Sequence, residues 1–125
     1  MATHRGTILL VDDEDAVRRV AKAALERYGY TVLLAEDGYQ AVDTFSRTAE
    51  QVLLVILDMA MPGMGGEETF RRLKAIRPEV PVVVCSGFDE LETARQFQTG
   101  GIAGFLQKPY TVVQLAEKVK AAAAS

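Results

Sequence analysis

Short apolar runs recur along the chain, each bounded by polar residues or proline. They are Ile8-Leu9-Leu10-Val11, Val32-Leu33-Leu34, Val52-Leu53-Leu54-Val55-Ile56-Leu57 and Val82-Val83-Val84-Cys85, with Gly104-Phe105-Leu106 as a weaker fifth. They carry many β-branched residues and do not alternate with polar ones, the pattern of parallel strands buried on both faces. Between them the period changes. Val17, Val20, Ala21, Ala24, Leu25 and Tyr28 fall on one face of a helix, and Gly29 stands where a C′ glycine would stop it. Phe70, Leu73 and Ile76 predict another helix, ended by Pro78 and Pro81, and Val112, Leu115, Ala116 and Val119 predict a last one. Residues 37–47 and 89–98 are less clearly patterned helices, the second closed by Gly100-Gly101. A strand followed by a helix, five times over, predicts an open parallel sheet with helices on both faces. A closed eight-fold barrel would need about 250 residues.

Composition narrows the class. The 125 residues suit one domain, and 49% hydrophobic with 25% charged residues excludes a disordered chain. A net charge of −3 supplies no electrostatic reason to bind nucleic acid. No apolar run approaches the ~20 residues that span a bilayer, so no membrane insertion of this segment is expected. No hydrophobic segment of signal-peptide length follows the first residues, and the single cysteine, Cys85, cannot form an internal disulfide. The expected location is cytoplasmic.

In an open parallel sheet, ligands bind beyond the carboxyl ends of the strands, where strand order reverses. The residues there are Asp12, Asp13, Glu14 and Asp15 after the first strand, Glu36 and Asp37 near the end of the second, and Asp58 after the third. Ser86-Gly87 follows the fourth and Gln107-Lys108-Pro109 the fifth. Singly, each has an ordinary structural explanation: helix capping, strand-end solvation, a turn serine, a surface lysine. Their joint placement on one edge is far harder to explain so. With strand order 2-1-3-4-5, Asp12, Asp13 and Asp58 converge. Two carboxylates about 4 Å apart repel by about 4 kcal/mol at an effective dielectric near 20. Protonation or a bound cation would offset this, and a hard divalent ion such as Mg²⁺ suits carboxylates, waters and a phosphate oxygen. No glycine-rich phosphate loop follows the first strand, and the only histidine, His4, precedes it. A histidine-dependent triad or a multi-histidine zinc site is therefore disfavoured. What remains is a carboxylate able to attack phosphorus, beside a cation, a hydroxyl and an ammonium.

These residues resemble the receiver domain of two-component response regulators. Leu10-Val11-Asp12-Asp13-Glu14 resembles the family's acidic start, and Leu57-Asp58-Met59-Ala60-Met61-Pro62-Gly63-Met64-Gly65-Gly66 its phosphorylation loop. Val84-Cys85-Ser86-Gly87 matches its hydroxyl position and Lys108-Pro109 its lysine, and the spacings of 46, 28 and 22 positions between Asp12, Asp58, Ser86 and Lys108 also agree. The resemblance runs from about Thr7 to Ala122. It implies a flavodoxin-like (βα)5 three-layer α/β sandwich forming a single domain over 1–125, with its core over about 7–122. It implies that Asp58 accepts a phosphoryl group from a histidine kinase or histidine phosphotransfer domain. Asp12, Asp13, Asp58 and the Ala60 backbone carbonyl would hold Mg²⁺, while Ser86 and Lys108 would bind the phosphoryl group. Ser86 and Phe105 would form the switch, and Lys108–Pro109 would be a cis peptide. Binding of a downstream protein would change on the face made by the last two helices and the fifth strand, and a homodimer is left open.

Phe105 lacks the tyrosine hydroxyl, so only packing could hold its two switch positions. At the two positions that tune phosphoryl lifetime stand Ala60 and Phe88, neither able to orient water by hydrogen bonding, so fast self-dephosphorylation is not expected. Such a domain acts on no separate substrate, catalysing only its own phosphorylation and dephosphorylation. The motifs lean towards the C-terminal receivers of hybrid histidine kinases, in which case the parent protein would be a kinase. The rivals are a small Mg²⁺-dependent hydrolase passing through an aspartyl-phosphate, which would carry Asp-x-Asp after the first strand with the nucleophile there, whereas the position two after Asp58 is Ala60, and a receiver-shaped interaction module that is never phosphorylated. Met59, Met61 and Met64 are read as packing, Cys85 as inert, and Arg71, Arg72, Lys74 and Arg77 as solvated helix surface.

Overall fold

The computed structural model describes residues 5–87 and 101–124. His4, Phe88 and the helix expected over 89–98 lie outside the described residues. Among the described residues there are nine elements: β1 (Gly6–Val11), α1 (Asp15–Arg27), β2 (Tyr30–Ala35), α2 (Gly38–Thr48), β3 (Val52–Asp58), α3 (Gly66–Ile76), β4 (Val82–Ser86), β5 (Gly104–Gln107) and α4 (Val112–Ala123). The strands form one parallel sheet in the order β2-β1-β3-β4-β5. This is the expected α/β architecture, and its helices divide between the two faces.

The division follows from strand alternation. Ile8 and Leu10 of β1 point to one side, where they meet Ala21 and Leu25 of α1 and Leu115 and Val119 of α4. Leu9 and Val11 point to the other, against Ala41 and Phe45 of α2 and Phe70 and Leu73 of α3. Both sets are fully or nearly fully buried, which accounts for strands that read as unbroken apolar runs.

Local signals set the helix ends. Asp37 caps α2 by accepting from the Gln40 amide at 2.8 Å, and Thr111 with Gln114 forms a capping box at the start of α4. Gly29 has φ +95°, a left-handed conformation open to glycine, and α1 stops two residues before it.

Two expectations need correction. Val20 and Tyr28 share the apolar face of α1 in sequence but remain 59% and 47% exposed, because the packed stripe is narrower than the apolar one. Lys74 and Arg77 are not solvated surface. Lys74 Nζ donates to the Val80 carbonyl at 2.6 Å, and Arg77 donates to the carbonyls of Ala49 and Val52, tying the end of α3 to the entry of β3. Arg71 and Arg72 do lie on the surface, paired with Glu67 and Glu68 one turn earlier.

Candidate functional site

The register of the central strands assembles the site. Val11 of β1 pairs with Leu57 of β3, so the next residues, Asp12 and Asp58, emerge side by side at the carboxyl edge. Asp12 is anchored through its amide, which donates to the Ala35 carbonyl at 3.1 Å, and the Met59 amide following Asp58 donates to the Cys85 carbonyl at 2.9 Å. Asp12 and Asp58 are buried to 2% and 1% exposure, whereas Asp13 is exposed. One carboxylate oxygen from each of Asp12, Asp13 and Asp58 lies within 4.8 Å of the others.

Lys108 reaches into this cluster from beyond β5. Its ammonium bridges Asp12 Oδ2 at 3.2 Å and Asp58 Oδ1 at 3.1 Å, with Glu14 at 4.0 Å. The Lys108 amide donates to the Ser86 carbonyl at 2.7 Å, fixing the lysine beside the buried Ser86 at the end of β4. The Lys108–Pro109 peptide is cis.

Asp58 Oδ1 accepts from the Ala60 amide at 3.2 Å as well as from Lys108. Its other oxygen, Oδ2, is buried with no hydrogen-bond partner among the described residues. A glycine at 66 permits the tight approach of α3 to this strand end, since a Cβ there would stand 2.7 Å from Met59 Cα and 3.2 Å from the Asp58 carbonyl. Phe105, which pairs with Val84, is half-buried, and Ala60 is exposed two residues past Asp58. Met64 is buried, and Met59 and Met61 pack against the α2–α3 side of the core.

Electrostatics follow from this crowding. Burial and the neighbouring Asp12 carboxylate push Asp58 up to about 6, against the opposing pull of the Ala60 amide and Lys108. Burial alone would lower Lys108, but the Asp58 and Asp12 carboxylates outweigh it and raise the ammonium. Burial pushes the Cys85 thiol up to about 12, so it is protonated and unreactive at neutral pH.

Two features carried no recognisable sequence signal. Arg18, only 12% exposed, donates to the Asp12 carbonyl at 2.6 Å. Beside Lys108, a groove of about 580 Å³ runs between α1 and α4, lined by Val17, Val20, Pro109, Tyr110, Val112 and Leu115.

Residues 8–120 match the family described as response regulator receiver domain, and the chain belongs to that family. It is therefore a receiver module of two-component phosphorelay signalling. It is 39% identical over 114 residues to the sensor kinase CckA of Brucella abortus, covering 91% of this chain but 12% of that protein. It is 32% identical to sporulation initiation phosphotransferase F of Bacillus subtilis, covering 90% of each. The crystal structure of a response regulator receiver domain protein from Clostridium thermocellum superposes with a TM-score of 0.87 at 29% identity, covering 95% and 94% of the two chains. Among the described residues, no helix is long and apolar enough to cross a membrane.

Proposed function

We propose that the chain forms one receiver domain, with its core over about 7–122, that accepts a phosphoryl group on Asp58 from a phosphohistidine of a kinase or phosphotransfer protein. The observation that carries this reading is the Lys108 ammonium bridging Asp12 and Asp58, inside a cluster of three carboxylates that converge within 4.8 Å. In the transfer, an Asp58 carboxylate oxygen forms a bond to phosphorus as the bond from phosphorus to the histidine nitrogen breaks. The electron pair of that bond stays on the imidazole. With a pKa of about 6, Asp58 is mostly ionised at neutral pH, the form able to attack phosphorus.

The donor set fits a divalent cation. Three hard carboxylate oxygens converge, and the buried Asp58 Oδ2 has no hydrogen-bond partner among the described residues. Asp12, Asp13, Asp58 and the Ala60 carbonyl would hold Mg²⁺, whose charge would neutralise the transferring phosphoryl oxygens. Lys108 supplies a fixed positive charge and the Ser86 hydroxyl a hydrogen bond to the same group. Movement of Ser86 and repacking of Phe105 would then report phosphorylation to a protein partner on the face that includes β5 and α4.

The donor must present its phosphohistidine at the mouth beside Lys108, so its surface must cover the rim that continues into the α1–α4 groove. Exposed Val20 and Val112 offer that donor an apolar footing. The direct test is incubation with acetyl phosphate or phosphoramidate and Mg²⁺, followed by intact mass. One phosphoryl group is expected, absent without Mg²⁺ and absent in Asp58→Asn. Continuous turnover of a phosphate ester would favour a hydrolase, and no uptake by folded protein would refute the reading.

A further inference from the structure

Arg18 is the least exposed charged side chain of α1 for which a partner is in place, and its neighbour Arg19 shows the contrast: 12% exposure against 76%. Arg19 pairs with Asp15 at 3.1 Å in solvent, an arrangement that contributes little. Arg18 instead folds back along the helix. One nitrogen of its guanidinium donates to the Asp12 backbone carbonyl at 2.6 Å, and another lies 3.4 Å from Asp15 Oδ1. The short contact is a charge-assisted hydrogen bond made where water is largely excluded.

Its target matters more than its strength. The Asp12 amide is held by Ala35, and one Asp12 carboxylate oxygen accepts from the Glu14 amide at 2.9 Å while the other meets Lys108. The carbonyl held by Arg18 belongs to the peptide plane that joins Asp12 to Asp13. Rotation of that plane would swing the exposed Asp13 carboxylate away from Asp12 and Asp58. Four successive acids, Asp12 to Asp15, repel one another and favour such a rotation, so the loop needs an external brace.

We propose that Arg18 is a positioning residue for the divalent-cation site, holding the Asp12–Asp13 peptide so that both carboxylates face Asp58 before the ion arrives. The inference rests on the proposed function, in that the three carboxylates must bind a cation. Two effects of opposite sign are at stake. As a positive charge near the site, Arg18 repels the ion. As a brace, it preorganises the ligands, and outer partners of this kind typically change metal affinity by about 10–100-fold.

The two are separable in the full chain by calorimetric titration with Mg²⁺ of wild type, Arg18→Lys and Arg18→Gln. The lysine keeps the charge but loses the planar fork, while the glutamine loses the charge. If positioning dominates, both variants bind Mg²⁺ about tenfold more weakly, and phosphoryl uptake from phosphoramidate returns to the wild-type rate at saturating Mg²⁺. That split between affinity and maximal rate would not follow from general loss of stability, which thermal unfolding in chelator measures independently. Lysine at the wild-type affinity together with glutamine binding more tightly would show charge alone and overturn the proposal. So would two folded variants that both match wild type. A wild-type chain that takes up no Mg²⁺ would instead sink the reading of the site itself.

Discussion

On the α2–α3 side of the sheet, Phe45 and Leu73 are fully buried, and the helices approach so closely that a Cβ on Gly38 would run into the Thr69 hydroxyl and stand 3.0 Å from Met64 Cβ. On the α1–α4 side, Leu25 and Leu115 are equally buried, yet Val20 and Val112 remain 59% and 43% exposed around an open groove. Both sides pack on the same strands, so strand composition does not explain the difference. Among the described residues, contacts within the chain close the first side around Phe45 and Leu73, while Tyr39 on α2 stays exposed. The second leaves apolar surface beside Lys108, where the proposed phosphoryl donor would approach.

The largest effects should fall on the closed side. Phe45→Ala is expected to cost about 3–5 kcal/mol in urea unfolding, whereas Val20→Ala should stay within about 0.5 kcal/mol. Equal losses would erase the distinction between the two sides.

The acidic edge should show a smaller, pH-dependent effect. A carboxylate raised from 3.8 to about 6 binds its proton more tightly in the folded state. Ionised Asp58 therefore destabilises the metal-free fold increasingly as pH rises from near 4, with the full cost reached above about 6. In chelator at pH 7, Asp58→Asn should be more stable than wild type by about 1–2 kcal/mol, less than the full linkage because the substitution also gives up the ion pair with Lys108. The gap should close below about pH 4 and narrow in Mg²⁺. A gap that widens towards acid would contradict the placement of Asp58.

Smallest is the test of the groove. Val20→Asp should slow transfer from a histidine phosphodonor protein by about tenfold, or about 1.4 kcal/mol, while leaving uptake from acetyl phosphate unchanged. Equal slowing with both donors would mean the substitution disturbs the site and not the docking surface.

Much of this was legible in the chain. The five apolar runs predict the strands to within two residues at either end, because a strand buried on both faces has little choice of residue. Asp12, Asp13, Asp58, Ser86 and Lys108 are legible as candidates because each lies within two residues of the end of such a run. Arg18 was not, since a basic residue between Val17 and Val20 looks like any solvated position. Lys74 and Arg77 were misread for the same reason: their partners are backbone carbonyls, which leave no mark on composition. Val20 and Tyr28 fit the helical period, but periodicity reports which face is apolar and not how much of it a neighbour covers.

The order and type of elements, and the set of acids, hydroxyl and lysine available to one sheet edge, were determined by the sequence alone, since both depend on local pattern and on strand ends. Tertiary structure decided which of those groups touch, how far burial and a neighbouring carboxylate raise Asp58, and that Arg18 turns inward. Those outcomes depend on distances between residues far apart in the chain, and in the low-dielectric interior a few ångströms decide whether two charges pair, repel or require an ion between them.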